Sequence, residues 1–220
     1  YYTTINNQII DLPTTDSTLV SHTYTNGVGV IKMSAPITSI PEMAYMENPT
    51  LQTMVLPSSV KTIGEGAFYG CSKLQNISLG DSLTTIGRGA FAACVALGQI
   101  HIPPTVNHVG LDIVDQTPWY VNHDPGELYI GTVLYKYIGK MANNTHIAVR
   151  EGTTTIAPLA FAECQGLDSI TLPASLTSIG KGAFMRTGLR NVSIPAGVTE
   201  LSEEAFRECA NLSAVTLPTT

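Results

Sequence analysis

Charge is scarce in this chain. Only 13% of its 220 residues are Asp, Glu, Lys or Arg, about half the ~25% usual for globular domains. The balance is acidic, at a net −6. Phosphate backbones are held by clustered Lys and Arg, so nucleic acid is excluded as a partner. No apolar run approaches the ~18 residues a spanning helix needs, so no membrane insertion is expected. The five histidines (His22, His101, His108, His123, His146) never fall at H-x-x-x-H or H-E-x-x-H spacing, so no metal site is expected. Glu203-Glu204 and Asp112 with Asp115 are neighbours along the chain only and read as solvated surface. There is no phosphate-binding glycine loop. With no titratable constellation to carry chemistry, the chain reads as not an enzyme, and no cofactor is expected.

What the chain does have is a repeat with a period of about 23 residues. An apolar residue marks each strand centre, at Ile31, Met54, Ile77, Ile100, Ile147, Ile170, Val192 and Val215. A second apolar landmark follows nine residues later, at Ile40, Ile63, Ile86, Val109, Ile156, Ile179 and Leu201. The offset holds in all seven pairs. Such a period specifies a solenoid, in which one repeat cannot bury its own apolar face and neighbours must stack to build a core.

Around each strand centre the pattern is L-x-x-I-x-L, as in Leu74, Ile77 and Leu79. Residues at i and i+2 share a side of a strand and face the core, leaving the residues between them to water. Pro57, Pro103, Pro173, Pro195 and Pro218 then end the strands, because proline cannot donate to a ladder. Gly64, Gly87, Gly110 and Gly180 follow the second landmark. There the backbone is expected to need a conformation that only glycine adopts cheaply. A-F-x-x-C comes next, for instance Ala67-Phe68 with Cys71 and Ala90-Phe91 with Cys94. A segment this short fits one helical turn, with its phenylalanine in a ladder along the core. All four cysteines (Cys71, Cys94, Cys164, Cys209) occupy one slot, which Thr117 and Thr187 fill elsewhere. They read as buried free thiols in a packing slot, with a disulfide or a metal as the alternatives.

The block from Leu56-Pro57-Ser58-Ser59-Val60 through Ile63-Gly64 to Ala67-Phe68 and Cys71 resembles the BspA-like class of leucine-rich repeat proteins. The resemblance runs from about Gly29 to Pro218. It implies a right-handed, curved leucine-rich repeat solenoid, with short parallel strands on the concave face and short helical turns and irregular segments elsewhere. It also implies a bacterial cell-surface or secreted protein associated with adhesion to host matrix proteins and other cells. The family brings no shared catalytic residues.

Residues 1–30 lack the repeat and are expected to form an N-terminal cap, a hairpin whose arms Tyr1–Ile5 and Gln8–Leu12 flank Asn6-Asn7. Residues 31–220 form the repeat domain, with an irregular long repeat at 111–146. The chain begins at Tyr1, as a processed or trimmed chain would, and stops straight after a strand at Leu217-Pro218. Apolar core would be exposed there, so further repeats or another cover are expected. Within the irregular repeat, Val114 takes the Phe slot and Thr117 the Cys slot, and Leu128–Ile130 and Val133–Tyr137 read as a hairpin about Gly131-Thr132. Its aromatics (Trp119, Tyr120, Tyr129, Tyr135, Tyr137) either pack that hairpin on the solenoid or form a partner-binding patch, Trp and Tyr being common interface anchors.

The exposed positions flanking the strand centres are the other candidate surface. They are Thr53 and Val55, Asn76 and Ser78, Gln99 and His101, Ser169 and Thr171, Asn191 and Ser193, and Thr216 beside Ala214. These small, nearly uncharged side chains can hydrogen-bond a polypeptide or a glycan. Ser and Thr are also ordinary strand-surface residues. Two functions follow. One is a recognition or adhesion module for a host protein, a glycan or another cell; the other is a structural spacer with no ligand. The repeat sets no oligomeric state.

Overall fold

The computed structural model describes residues 1–10 and 19–218. They form two units, Tyr1–His123 and Asp124–Thr220. The first holds β1 (Tyr2–Thr4), β2 (Leu19–Thr25), β3 (Val28–Met33), β4 (Ser39–Ile40), β5 (Leu51–Val55), β6 (Thr62–Ile63), β7 (Asn76–Ser78), β8 (Thr85–Ile86), β9 (His108–Val109) and α1 (Pro118–Val121). The second holds β10 (Gly126–Ile130), β11 (Val133–Ile138), β12 (Thr145–Ala148), β13 (Thr155–Ile156), β14 (Leu167–Thr171), β15 (Ser178–Ile179), β16 (Asn191–Ser193) and β17 (Ala214–Thr216).

Each unit is a stack of coils built on two sheets. Strand centres make one, in the orders β2-β3-β1-β5-β7 and β12-β14-β16-β17. Second landmarks make the other, as β4-β6-β8-β9 and β10-β11-β13-β15. The parallel registers set equal slots side by side: Met54 against Ile77, Ile63 against Ile86, Ile147 against Ile170, Val192 against Val215. Leu51, Leu74, Leu97, Leu167 and Leu189 are fully buried between the sheets. Rings stack along the core as expected. Tyr45, Phe68 and Phe91 follow at centroid spacings of 5.2 and 5.5 Å, and Phe161, Phe184 and Phe206 at 5.5 and 5.3 Å.

The A-F-x-x-C segment is not a helical turn. Ala67 N donates to Gly64 O, Tyr69 N to Gly66 O and Cys71 N to Phe68 O, which closes three successive β-turns. The intervening amides point out of the coil: Gly66, Phe68 and Gly70 donate to Arg88, Ala90 and Ala92 of the next one. This alternation requires left-handed backbone at two positions four residues apart in every coil. Gly66 and Gly70 lie there at φ +59° and +68°, Gly89 and Ala93 both at +58°, Leu159 and Glu163 at +57° and +66°. A helix would satisfy its carbonyls internally; here alternate ones, those of Glu65, Ala67 and Tyr69, accept from Met43, Tyr45 and Glu47 of the preceding coil. Left-handed backbone costs a residue bearing a Cβ ~1 kcal/mol or more. Ala93→Gly is therefore expected to stabilise the protein by about 0.5–1 kcal/mol. A urea midpoint that falls instead of rising would refute this reading of the turn.

Gly64, Gly87, Gly110 and Gly180 serve a different purpose from the one expected. None has a positive φ. A Cβ at each would stand 2.3–2.5 Å from a backbone nitrogen of the preceding coil, so these glycines set the coil spacing.

The cap also differs. β1 pairs with β3 on one side and β5 on the other, antiparallel to both, and Gln8–Ile10 forms no strand. Asp11 and Leu12 of the expected second arm lie outside the described residues. The hairpin is β2–β3, turning at Asn26-Gly27 with φ +51° and +80°. Both signs are positive, as a type I′ turn requires. Its β3 carries the Ile31 strand centre and runs in the same direction as β5, with β1 laid between them. Tyr2 of β1 is 1% exposed, and its hydroxyl meets His22 Nε2 at 2.6 Å.

In the irregular repeat, β10 and β11 form the expected hairpin, with Ile130 opposite Val133. β11 then pairs parallel with β13, Leu134 against Ile156. Leu134 thus fills the second-landmark slot of the coil before Ile156.

Candidate functional site

The flanking positions of the strand centres form ordered rows. In the first unit Thr53 stands beside Asn76 and Val55 beside Ser78. Thr3 extends the first row across β1, its hydroxyl 2.7 Å from that of Thr53. In the second unit His146, Ser169, Asn191 and Ala214 make one row, and Ser193 stands beside Thr216. His146 Nδ1 lies 2.9 Å from Ser169 Oγ and its Nε2 3.4 Å from Thr171 Oγ1, so this imidazole ties two predicted face residues together. One exposed ion pair sits next in sequence to this row: Arg190 Nε donates to Asp168 Oδ1 at 2.6 Å. Asn76, Ser78, Thr171, Asn191, Ser193 and Thr216 are exposed; Thr53 and Ser169 are half-buried.

Gln99 and His101 are set apart. Both are exposed, but their segment forms no strand. The helix α1 packs there instead, Trp119 N donating to Leu97 O at 3.3 Å. The local sequence builds this helix directly. Thr117 is its N-cap, with extended backbone; its Oγ1 accepts from Tyr120 N at 3.1 Å and donates to Val114 O at 2.7 Å. Pro118 opens the helix at its first position, where a missing N–H costs nothing. Trp119 and Tyr120 are half-buried, and the His123 ring lies edge-on to the indole at 6.0 Å.

Between α1 and the Ile100 segment is an open cleft of about 490 Å³, where Gln99 and His101 meet Trp119 and Asn122 over Gly98. Residues from the two separate candidate sets, strand flank and insert, thus meet at one place. Sequence reasoning missed Asn122 and Gly98. The Thr-Pro pair at 117–118, a helix-start signal, could have placed Asn122 one turn beyond Trp119.

The other insert aromatics are committed elsewhere. Tyr135 is 4% exposed and Tyr137 sits 6.4 Å from Phe161, extending the ring ladder. Tyr137 packs against the core of the second unit. Arg150 lies 4.3 Å over the Tyr129 ring and donates its backbone N–H to the Tyr129 hydroxyl at 3.0 Å.

The cysteine slot is a packing slot with a polar requirement. All four thiols are free. Cys71, Cys94 and Cys209 donate to Tyr45 O, Phe68 O and Phe184 O of the preceding coil at 3.0, 3.1 and 2.9 Å. Thr117 and Thr187 donate to carbonyls of their own coil. At these five positions the slot holds a small donor with a carbonyl partner, which explains why Cys and Thr interchange there. Burial pushes the Cys71 and Cys94 thiols up to about 11 and 12, away from reactive thiolate. Among the described residues no group of three His, Cys, Asp or Glu side chains could hold a metal ion, and no helix is long and apolar enough to cross a membrane.

The family model for the BspA type leucine rich repeat region matches in six copies, over residues 1–118 and 132–220. A leucine-rich repeat protein from Bacteroides ovatus shares 22% identity over 96% of this chain and 71% of its own, with a TM-score of 0.44. A T. pallidum leucine rich repeat protein shares 24% over 92% and 81%, at 0.36. A leucine rich cell surface protein from Faecalibacterium prausnitzii shares 20% over 85% and 72%, at 0.38. None of the curated proteins matches.

Proposed function

The chain belongs to the BspA-type leucine-rich repeat family, and we propose that it is a cell-surface or secreted recognition module without catalytic activity. Its partner is a host protein, a glycan or another cell, bound through the flanking rows of the strand centres and the cleft beside them. The observation that carries this reading is the meeting of Gln99 and His101 with Trp119 in one open cleft. A tryptophan among hydrogen-bonding side chains at an accessible edge is the composition of a binding anchor. A spacer has no use for it.

The spacer reading draws on one feature of the rows. Several of their polar groups already bond one another, as Thr3 with Thr53 and His146 with Ser169. The two are separated by exposing the purified chain to immobilised matrix proteins, mucins and a glycan array, beside the double variant Trp119→Ala with His101→Ala. A saturable signal that the variant weakens at least tenfold supports recognition. A folded sample that binds nothing leaves the spacer.

A further inference from the structure

We infer that the cleft beside α1 takes a neutral pyranose unit of a glycan. This rests on the recognition reading and names the ligand class for that site.

The chemistry of the lining selects the class. No Asp, Glu, Lys or Arg lines the cleft. An anionic ligand, whether a phosphate, a sulfated sugar or an acidic peptide, would find no cation there. Gln99 and Asn122 each offer both a donor and an acceptor through a primary amide, and the His101 imidazole adds a further polar edge. A ring of hydroxyls, each donor and acceptor at once, matches that set. The rest of the lining is Trp119 with Gly98, Ile100 and Pro118. An indole face packs well against the C–H face of a pyranose, which is apolar although its rim is polar. The volume of about 490 Å³ lies within the range of small-ligand clefts.

The geometry is also fixed before any ligand arrives. Trp119 is held by the Thr117 cap, by its bond to Leu97 O and by the edge-on His123 ring. A Cβ at Gly98 would meet nothing within 4 Å, so the cleft is open above this residue. A pre-set aromatic wall loses little entropy on binding. A polypeptide partner would favour several apolar pockets for side-chain anchors, and Trp119 is the only large aromatic wall in this cleft.

Trp119 is the single tryptophan of the chain, so fluorescence excited selectively at tryptophan, and not at the nine tyrosines, reports on this cleft alone. The test is a titration of the whole chain with neutral saccharides (glucose, galactose, N-acetylglucosamine and their oligomers), and with a sulfated oligosaccharide for comparison. The expected result is a saturable change in tryptophan emission, no tighter for the sulfated sugar. Gln99→Ala and Asn122→Ala should each weaken it about three- to tenfold, the loss of one hydrogen bond, with unchanged circular dichroism. Four results overturn the inference. Sugar binding without an emission change, or untouched by both variants, moves the site elsewhere. Tighter binding of the sulfated sugar contradicts a neutral cleft. No response to any sugar, with a matrix protein bound in a Trp119-dependent way, makes the cleft a polypeptide site and leaves the recognition reading standing. Silence towards sugars and proteins alike removes both.

Discussion

Phe184→Ala is expected to destabilise the protein by about 3–5 kcal/mol, as other fully buried Phe→Ala changes do. Phe184 is 0% exposed and is stacked between Phe161 at 5.5 Å and Phe206 at 5.3 Å, with interplanar angles of 8° on both sides. Truncation therefore leaves a cavity and breaks two ring contacts, each worth ~0.5–1.5 kcal/mol beyond burial. The backbone cannot collapse into the hole. Phe184 N donates to Ala205 O and Phe161 N to Ala183 O, which pins the neighbouring coils at fixed separation. Because a repeat stack is stabilised by nearest-neighbour terms, the loss is local. Hydrogen exchange should accelerate first in the coils of Phe161, Phe184 and Phe206, while amides about Phe68 keep their protection. A urea midpoint equal to the wild type would show that the ring ladder is not a stabilising element.

The ring ladder was legible because period and residue type coincide. Landmarks nine residues apart fixed the coils, and a phenylalanine at one phase of the repeat had to be internal. The same argument placed the paired registers and the buried Cys71 and Cys94 thiols, whereas Cys164 and Cys209 are only half-buried. It did not reach the backbone. A-F-x-x-C looks helical by length alone, and nothing in its composition announces left-handed residues when Glu163, Arg186 and Glu204 occupy those sites. Hydrogen bonds between coils, not local propensity, hold those angles. The cap failed for another reason. Asn26-Gly27 is the strongest turn signal in the first thirty residues and closes the β2–β3 hairpin, while nothing local at Asn6-Asn7 encodes the insertion of β1 between β3 and β5. The site was half legible. Gln99, His101 and Trp119 each stood out, on separate grounds. Their meeting depends on a four-residue helix seated on a strand segment, a tertiary contact that periodicity does not encode.

Gly87→Ala separates two physical accounts of the most regular glycine in the repeat. If glycine were needed for its backbone angles, alanine would add strain of about 1–2 kcal/mol. The observed geometry is harsher. A Cβ on Gly87 would lie 2.5 Å from Glu65 N, 2.7 Å from Gly64 C and 3.0 Å from Glu65 Cα. All three are backbone atoms of the preceding coil, and none can rotate away. Relief requires the coils to part, yet Gly87 N is bonded to Ile63 O at 2.8 Å and Gly89 N to Leu111 O at 2.8 Å. The expected cost is about 3 kcal/mol, the upper part of the range for overpacking. Two neighbours calibrate it. Gly89→Ala meets only Tyr69 Cδ2 at 3.9 Å but sits at φ +58°, so it should cost ~1 kcal/mol. Gly98→Ala meets nothing within 4 Å and has no positive φ, so it should stay within ~0.5 kcal/mol of the wild type. Chemical denaturation of the three variants therefore yields the order Gly87, Gly89, Gly98 if coil spacing is what the repeat protects. A Gly89→Ala loss equal to or larger than that of Gly87→Ala would return the explanation to backbone angle.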